Sequence, residues 1–152
     1  MAKRILVVPD IHGRSFWREP VLKYLGSVDR IVFLGDYLDP YPDEGLDITP
    51  EQALHSLMDI IKLKKENTDK VILLKGNHDQ HYSSKAFHNS SRASRCDIQN
   101  YKKYNNVYNE HKGLFQLAYL ERTNDITYVF SHAGLTTYWI NQVKLREKYL
   151  CG

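Results

Sequence analysis

The sequence predicts a layered α/β fold, and two observations lead to this prediction. Four short apolar runs rich in β-branched residues recur along the chain, and segments with helical periodicity lie between them. Runs that are apolar on both faces suit strands buried on both sides, as in parallel or mixed sheets. Because strands and helices alternate, we expect right-handed crossovers between parallel strands. The predicted strands are residues 5–8, 31–34, 71–74 and 126–130.

The clearest predicted helix covers residues 49–65, between the second and third strands. Thr49 suits the N-cap, Pro50 suits the first helical position, and Glu51 lies at the electropositive start. An apolar stripe at helical spacing follows, with lysine and glutamate on the other side. Residues 16–25 have a weaker helical pattern and would connect the first strand to the second.

The stretch from residue 80 to residue 109 is polar and rich in tyrosine. We expect it to run over the strand ends, with a helix over residues 98–108. Tyrosine interleaved with lysine can stack on nucleobases, so a nucleic-acid-binding module is one alternative function. We favour a tyrosine-rich cap over a cleft. Residues 136–150 predict one last helix.

The composition fits one globular domain covering residues 1–152, since 42% of the residues are hydrophobic and 26% are charged. The formal net charge of +3 comes without a long basic block and is weak evidence for a nucleic-acid partner. No apolar run approaches the roughly 18 residues of a membrane span. Cys96 and Cys151 lack metal-type spacing. We therefore expect a cytoplasmic protein with reduced thiols and no membrane partner.

A polar motif follows each predicted strand directly. Ligands of open α/β sheets bind beyond the carboxyl ends of the strands, so we expect the four motifs to meet at one edge. Their carboxylates and imidazoles suit a borderline divalent metal such as Mn, Fe or Zn. Each motif alone also fits a plain turn or a core histidine, but four in this order favour a functional site. The motifs are Asp10-Ile11-His12, Gly35-Asp36-Tyr37-Leu38-Asp39, Gly76-Asn77-His78-Asp79 and Ser131-His132-Ala133-Gly134.

The motif set DxH, GDxxD, GNHD and SHAG resembles that of the calcineurin-like metallophosphoesterases. The similarity runs from residue 5 to about residue 139 and is closest to the branch of the serine/threonine phosphoprotein phosphatases and their bacterial and phage relatives. The resemblance implies an α/β fold in which a mixed β-sheet sandwich is flanked by helices. Because most strands of the family's second sheet follow the last motif, we expect that sheet to be incomplete here.

The resemblance also implies a role for each candidate residue. Two divalent metal ions, with Mn favoured over Fe, Zn, Ni or Co, would hold a bridging hydroxide that attacks phosphorus. His78 would donate a proton to the leaving alkoxide, and Asp39 would orient it. The implied ligands are Asp10 and His12 on the first metal, Asn77 and His132 on the second, and Asp36 between both.

Two departures from the phosphoprotein phosphatases concern substrate binding. Pro40 follows Asp39, where those enzymes usually have an arginine that binds phosphate. Lys75 and Asp79 flank the Gly-Asn-His motif in place of the usual arginine and glutamate. We expect a phosphorylated substrate, whose class the motifs do not specify. The arginines that are candidates for the phosphate contact are Arg14, Arg92 and Arg95.

A third departure concerns the second metal. The family has a further histidine ligand beyond the position of His132, and residues 136–152 contain none. We expect that this chain lacks the C-terminal portion of its domain; the alternative is a natural short form that pairs with another chain, such as a homo-oligomer. Conceivable substitutes for the missing histidine ligand are His81, His88 and His111.

The predicted function is metal-dependent phosphoester hydrolysis, and the alternative is a non-catalytic metal-binding fragment or scaffold acting through protein contacts.

Overall fold

The computed structural model of the chain describes residues 3–41, 47–83, 95–123, 126–138 and 141. Four parallel strands form the main sheet in the order β1-β2-β3-β4, and helices α1 and α2 connect the first three strands. The predicted alternation of strands and helices is therefore confirmed. These elements are β1 (Ile5–Val8), α1 (Arg18–Tyr24), β2 (Arg30–Phe33), α2 (Pro50–Glu66), β3 (Val71–Leu74) and β4 (Phe115–Gln116).

Helix α2 begins at the capping residues that the sequence predicts. The Thr49 side-chain oxygen accepts the backbone N–H of Gln52 at 3.2 Å, and the Gln52 side chain accepts the N–H of Thr49 at 2.8 Å. This reciprocal capping box satisfies two amide groups that the first helical turn leaves unpaired. The buried stripe of α2 packs on the main sheet through Ala53, Leu57, Ile60 and Ile61.

The two faces of the main sheet pack against different layers. In β2, Ile31 and Phe33 belong to the core shared with the helices, whereas Val32 points to the opposite face, as strand alternation requires. A second, two-stranded sheet of β5 (Ala118–Arg122) and β6 (Thr127–Ser131) covers that opposite face through Tyr119 and Phe130. The described residues thus form helices, a parallel sheet and a small second sheet, which confirms the predicted fold class.

The prediction that the fourth apolar run is a strand buried on both sides is wrong. Strand β6 pairs antiparallel with β5, and its Tyr128 and Val129 are 45% and 41% exposed. A parallel strand needs a crossover of a dozen or more residues, but β5 ends at Arg122 and β6 already begins at Thr127, so the two form a hairpin. Neither β4 nor β5 is evident from the apolar pattern.

Within the described residues, two α-helices lie between β3 and β4. Helix α3 (Asn77–Ser83) is not evident from the sequence pattern, and α4 (Tyr101–Glu110) takes the place of the helix predicted over residues 98–108. Tyr82, Tyr104 and Tyr108 are almost fully buried, so they are unavailable for stacking on nucleobases.

The helix predicted over residues 136–150 lies mostly outside the described residues. Among the described helices, none combines the length and the apolar character that crossing a membrane requires.

Candidate metal centre and acid pair

The polar motifs meet at the carboxyl edge of the main sheet, as predicted. The backbone N–H groups of Ile11 and His12 donate to the Asp36 carbonyl at 3.1 and 2.7 Å, which joins the loops after β1 and β2. The N–H of His78, which follows β3, donates to Asp36 Oδ1 at 2.9 Å. His132 reaches the same edge from the end of β6, where Nδ1 donates to the Leu34 carbonyl at 3.1 Å.

Three side chains of this edge lie on residues with left-handed backbone. The φ angles of His12, Asp36 and Asp39 are +46°, +51° and +60°. Such angles are uncommon for residues other than glycine, and they cluster at functional sites where the surrounding structure enforces them. The loops after β1 and β2 are thus held in conformations that aim these three side chains into the edge.

Asp79 holds two of the loops together from within the core. Its buried carboxylate accepts the N–H groups of Asp36, Tyr37 and Gly76 at 2.7, 3.0 and 2.7 Å, and also the hydroxyl of Tyr108. Burial raises the pKa of Asp79 to about 6, although these hydrogen bonds oppose the rise. From the sequence, Asp79 is the last residue of the third motif and a departure from the phosphoprotein phosphatases; in the structure it joins the loops after β2 and β3.

Two glycines allow these loops to approach each other closely. Gly35 has φ of +118°, and a Cβ there would lie 2.3 Å from the backbone nitrogen of Gly76. A Cβ on Gly76 would lie 2.0 Å from Asp36 Oδ1. Real side chains never approach so closely, so both positions require glycine.

Gly76→Ala is expected to lower the free energy of unfolding by about 1–3 kcal/mol, because the methyl group must displace the Asp36 carboxylate or the loop. The variant should also bind Mn²⁺ more weakly than the wild type. Urea denaturation and calorimetric titration with Mn²⁺ measure the two effects. Gly113→Ala is the matched control, since a Cβ there meets nothing within 4 Å. Equal stability and equal Mn²⁺ affinity in both variants would contradict the prediction.

The first candidate metal site combines Asp10, His12 and Asp36, whose donor atoms all lie within 4.8 Å of one another. His12 Nδ1 donates to the Leu38 carbonyl at 3.0 Å, and its Nε2 lies 3.6 Å from Asp36 Oδ2. Because a carbonyl only accepts, Nδ1 carries the hydrogen and Nε2 keeps its lone pair toward the carboxylate. Burial lowers the pKa of His12 despite that hydrogen bond, which favours the neutral, metal-binding imidazole.

The second candidate site is arranged in the same way around His132. Its Nδ1 hydrogen bond to a carbonyl leaves a lone pair on Nε2, which lies 3.0 Å from Asn77 Oδ1 and 3.4 Å from Asp36 Oδ2. Three acceptor atoms therefore face one another, an arrangement that a cation stabilises. Asp10 Oδ1 lies 3.6 Å from His132 Nδ1, close to the boundary between the two sites.

These donors fit divalent metals. Ligand atoms about 2.0–2.2 Å from a metal lie about 3–4 Å from each other, and the distances above fall in that range. The mixture of imidazole, carboxylate and amide oxygen suits Mn, Fe, Zn, Ni or Co and does not select one of them. The structure thus brings together all five candidate ligands predicted from the motifs.

The structure also brings the side chains of His78 and Asp39 into contact. His78 Nδ1 donates to Asp39 Oδ2 at 2.8 Å, and both side chains are buried. Burial alone would lower the pKa of His78, but the Asp39 hydrogen bond and the charges of Asp36 and Asp39 outweigh it and raise this pKa. His78 is therefore suited to hold a proton on Nε2 near neutral pH.

The structure distinguishes between the candidate arginines. Arg95 Nη2 lies 3.5 Å from His78 Nε2, Nη1 donates to the Asp39 carbonyl at 3.2 Å, and the guanidinium stacks on the Tyr41 ring. Arg14 lines a neighbouring cleft of about 570 Å³ that continues from the first metal-site loop. Arg92 lies outside the described residues.

The three histidines considered as substitute metal ligands lie in different parts of the chain. His81 lies within 4.8 Å of Asp39 and His78, beside the acid pair. His111 lies at the end of α4, with Nε2 at 3.7 Å from Glu110. His88 lies outside the described residues.

The arrangement has a counterpart in a known family. The sequence profile of the calcineurin-like phosphoesterases matches residues 3–150. The chain belongs to the calcineurin-like phosphoesterase family. This membership confirms the predicted superfamily, while the narrower phosphoprotein phosphatase branch stays a prediction.

Several solved structures match the chain. The chain is similar to Yfce, a phosphoesterase from E. coli, with a TM-score of 0.44 and 18% sequence identity. The similarity covers 86% of this chain and 57% of that one, so this calcineurin-like phosphoesterase chain spans little more than half the length of that protein. None of the curated proteins compared with the chain matches it.

Proposed function

We propose that the chain is a metal-dependent phosphoester hydrolase that uses two divalent metal ions sharing Asp36. One observation carries the proposal: Asp36 Oδ2 lies 3.6 Å from His12 Nε2 and 3.4 Å from His132 Nε2. Both imidazoles are oriented by Nδ1 hydrogen bonds to backbone carbonyls, so both lone pairs face the same carboxylate oxygen. A buried carboxylate placed between two such nitrogens suits a bridging ligand.

The other ligands divide between the two ions. Asp10 and His12 would hold the first ion, and Asn77 and His132 the second. When bound, two such ions supply an activated water as nucleophile and stabilise charge on the phosphoryl oxygens. Mn²⁺ is the metal that we favour for the test. The carbonyls of Leu34 and Leu38 fix the two imidazoles so that little reorganisation is needed when metal binds.

His78 acts as the proton donor to the leaving oxygen. Its Nδ1–H is committed to Asp39, so the proton on Nε2 is the one it gives away. The Asp39 carboxylate stabilises the imidazolium before transfer and holds the ring in one orientation. General acid catalysis of this kind contributes roughly 10²–10⁴ to the rate, most for poor leaving groups.

Arg95 binds the phosphoryl group of the substrate. Its guanidinium lies beside His78 Nε2, where the leaving oxygen must come, and the Tyr41 ring and Asp39 carbonyl hold it there. A planar guanidinium can donate two parallel hydrogen bonds to phosphate oxygens. In this way Arg95 takes the role of the arginine that related phosphatases place where this chain has Pro40.

Arg95→Gln is expected to lower kcat/KM for a phosphoester about 10- to 100-fold, since hydrogen bonds to charged groups contribute roughly 1.5–3 kcal/mol. Arg14→Gln, on the neighbouring cleft, should change kcat/KM for an aryl phosphate by much less. Steady-state kinetics of both variants on the same aryl phosphate measure the difference. A larger loss in Arg14→Gln would assign the phosphate contact to Arg14 instead.

The function itself is tested by hydrolysis of p-nitrophenyl phosphate by chelator-treated protein to which Mn²⁺ is added back. We expect turnover that requires Mn²⁺ and saturates at two ions per chain. The competing function is a metal-binding scaffold, which has no need of the buried His78–Asp39 pair. Stoichiometric Mn²⁺ binding without turnover would favour that scaffold and overturn the proposed hydrolase.

A further inference from the structure

We propose that Tyr82 is a positioning residue for proton transfer, because its hydroxyl fixes the Asp39 carboxylate that orients His78. The inference rests on the proposed function, in which His78 is the proton donor. Tyr82 belongs to none of the four sequence motifs. It lies on α3, four residues after His78, and is fully buried.

Both oxygens of Asp39 are occupied by donors from different groups. Oδ2 accepts the Nδ1–H of His78 at 2.8 Å, and Oδ1 accepts the hydroxyl of Tyr82. Two such hydrogen bonds on opposite oxygens prevent the carboxylate from turning about its own axis. Because Asp39 is only 3% exposed, solvent has little access with which to replace either donor.

The hydroxyl of Tyr82 is itself held in one direction. It accepts the backbone N–H of Asp97 at 2.8 Å, which leaves its own hydrogen directed toward Asp39. Burial and the negative charge of Asp39 raise the pKa of Tyr82 far above its ordinary value, so the hydroxyl stays a donor. A continuous chain of hydrogen bonds therefore runs from the Asp97 amide through Tyr82 and Asp39 to His78.

The ring of Tyr82 is anchored in the packing between α3 and α4. It stacks on Tyr108 with an interplanar angle of 8° and meets Tyr104 edge to face at 5.1 Å. Its backbone carbonyl accepts a hydrogen bond from Asn105 Nδ2 at 2.6 Å. Through these contacts, the rigid helix pair sets the position of the hydroxyl.

The same turn that holds Tyr82 also carries the proposed phosphate ligand. Asp97 donates to the Tyr82 hydroxyl, and Arg95, two residues earlier, donates to the Asp39 carbonyl at 3.2 Å. Residues 95–97 therefore hold the phosphate ligand, Arg95, and through the Tyr82 hydroxyl also the Asp39 carboxylate that orients His78. Since a misplacement of about 1 Å can cost roughly 10² in rate, such shared anchoring matters for proton transfer to the leaving oxygen.

Tyr82→Phe tests the inference, since it keeps the ring and removes only the hydroxyl. We expect kcat for an alkyl phosphate to fall about 10- to 100-fold, as is typical when an orienting partner is removed. The KM should stay unchanged, and kcat for p-nitrophenyl phosphate should change little, because that leaving group needs no proton. Tyr119→Phe is the matched control: its hydroxyl accepts from Arg30 Nε and donates to Glu121 on the second sheet, and both activities should be retained.

A second readout requires no turnover. The Nδ1–H proton of His78 should give a slowly exchanging, downfield NMR resonance that broadens or disappears in Tyr82→Phe and persists in Tyr119→Phe. Equal loss of activity on both esters, or an unchanged resonance, would overturn the positioning role. Wild-type protein that hydrolyses neither ester would overturn the proposed function instead, and the resonance would still report whether Tyr82 fixes the pair.

Discussion

Asp36→Asn is expected to reduce Mn²⁺-dependent hydrolysis of an aryl phosphate at least about 10³-fold. Metal ions stabilise the charge of the transition state by several kcal/mol, and each 1.36 kcal/mol corresponds to a factor of ten in rate. One oxygen of Asp36 faces both His12 and His132, and an amide in its place presents either a neutral oxygen or an NH₂ group. Steady-state kinetics and Mn²⁺ stoichiometry by calorimetry measure the loss of activity and of one ion.

Asp69→Asn is the control for Asp36→Asn, because it removes an equal charge at an exposed position. It should retain wild-type activity and bind two ions. Asp36 also accepts the backbone N–H of His78, so circular dichroism must show that the Asp36 variant is folded. A folded Asp36→Asn protein with wild-type turnover would contradict a centre built on this shared carboxylate.

His78→Gln is expected to have the second-largest effect, and the effect should depend on the leaving group. For an alkyl phosphate, kcat should fall roughly 10²–10⁴-fold, the usual contribution of a general acid. For p-nitrophenyl phosphate it should fall little, since the phenolate departs without a proton. The measurement is kcat for a series of esters whose leaving groups have graded pKa values, compared between variant and wild type.

His55→Gln is the control for His78→Gln, since the His55 side chain lies on α2, is 76% exposed and contacts Asp59 one turn along the same helix. It should behave as the wild type on every ester. A uniform loss in His78→Gln across the series would assign His78 to the metal centre and not to proton donation. The two variants together therefore separate the two halves of the proposed mechanism: Asp36→Asn affects all esters, and His78→Gln only those with poor leaving groups.

Elements that depend on a local residue pattern are predictable from the sequence. Strands β1 and β3 coincide with apolar runs, and α2 begins at Thr49 with the capping box that its residues allow. The meeting of the first three motifs at one edge also follows from the sequence pattern, since parallel strands present their carboxyl ends at one edge, whereas the role of each candidate ligand and of the His78–Asp39 pair is implied by the family resemblance.

The pairing of β6 is not predictable in this way, because an apolar run does not indicate which strand it pairs with. The hairpin with β5 depends on the short connection and on the packing of Tyr119 and Phe130 over the main sheet. Helix α3 is similarly missed, since its seven residues are too few for a periodic pattern to emerge.

Residue types and their order along the chain thus determine the strand–helix alternation and place a polar motif after each apolar run, since periodicity and turn chemistry are local properties. The family resemblance implies which residues of these motifs are ligands. Contacts between distant segments determine the rest. Arg95 reaches the acid pair where Arg14 does not, Tyr82 fixes Asp39 from another helix, and Asp79 holds two loops together from the core. Such choices depend on how far apart in space residues lie after folding, and no spacing along the sequence encodes that distance.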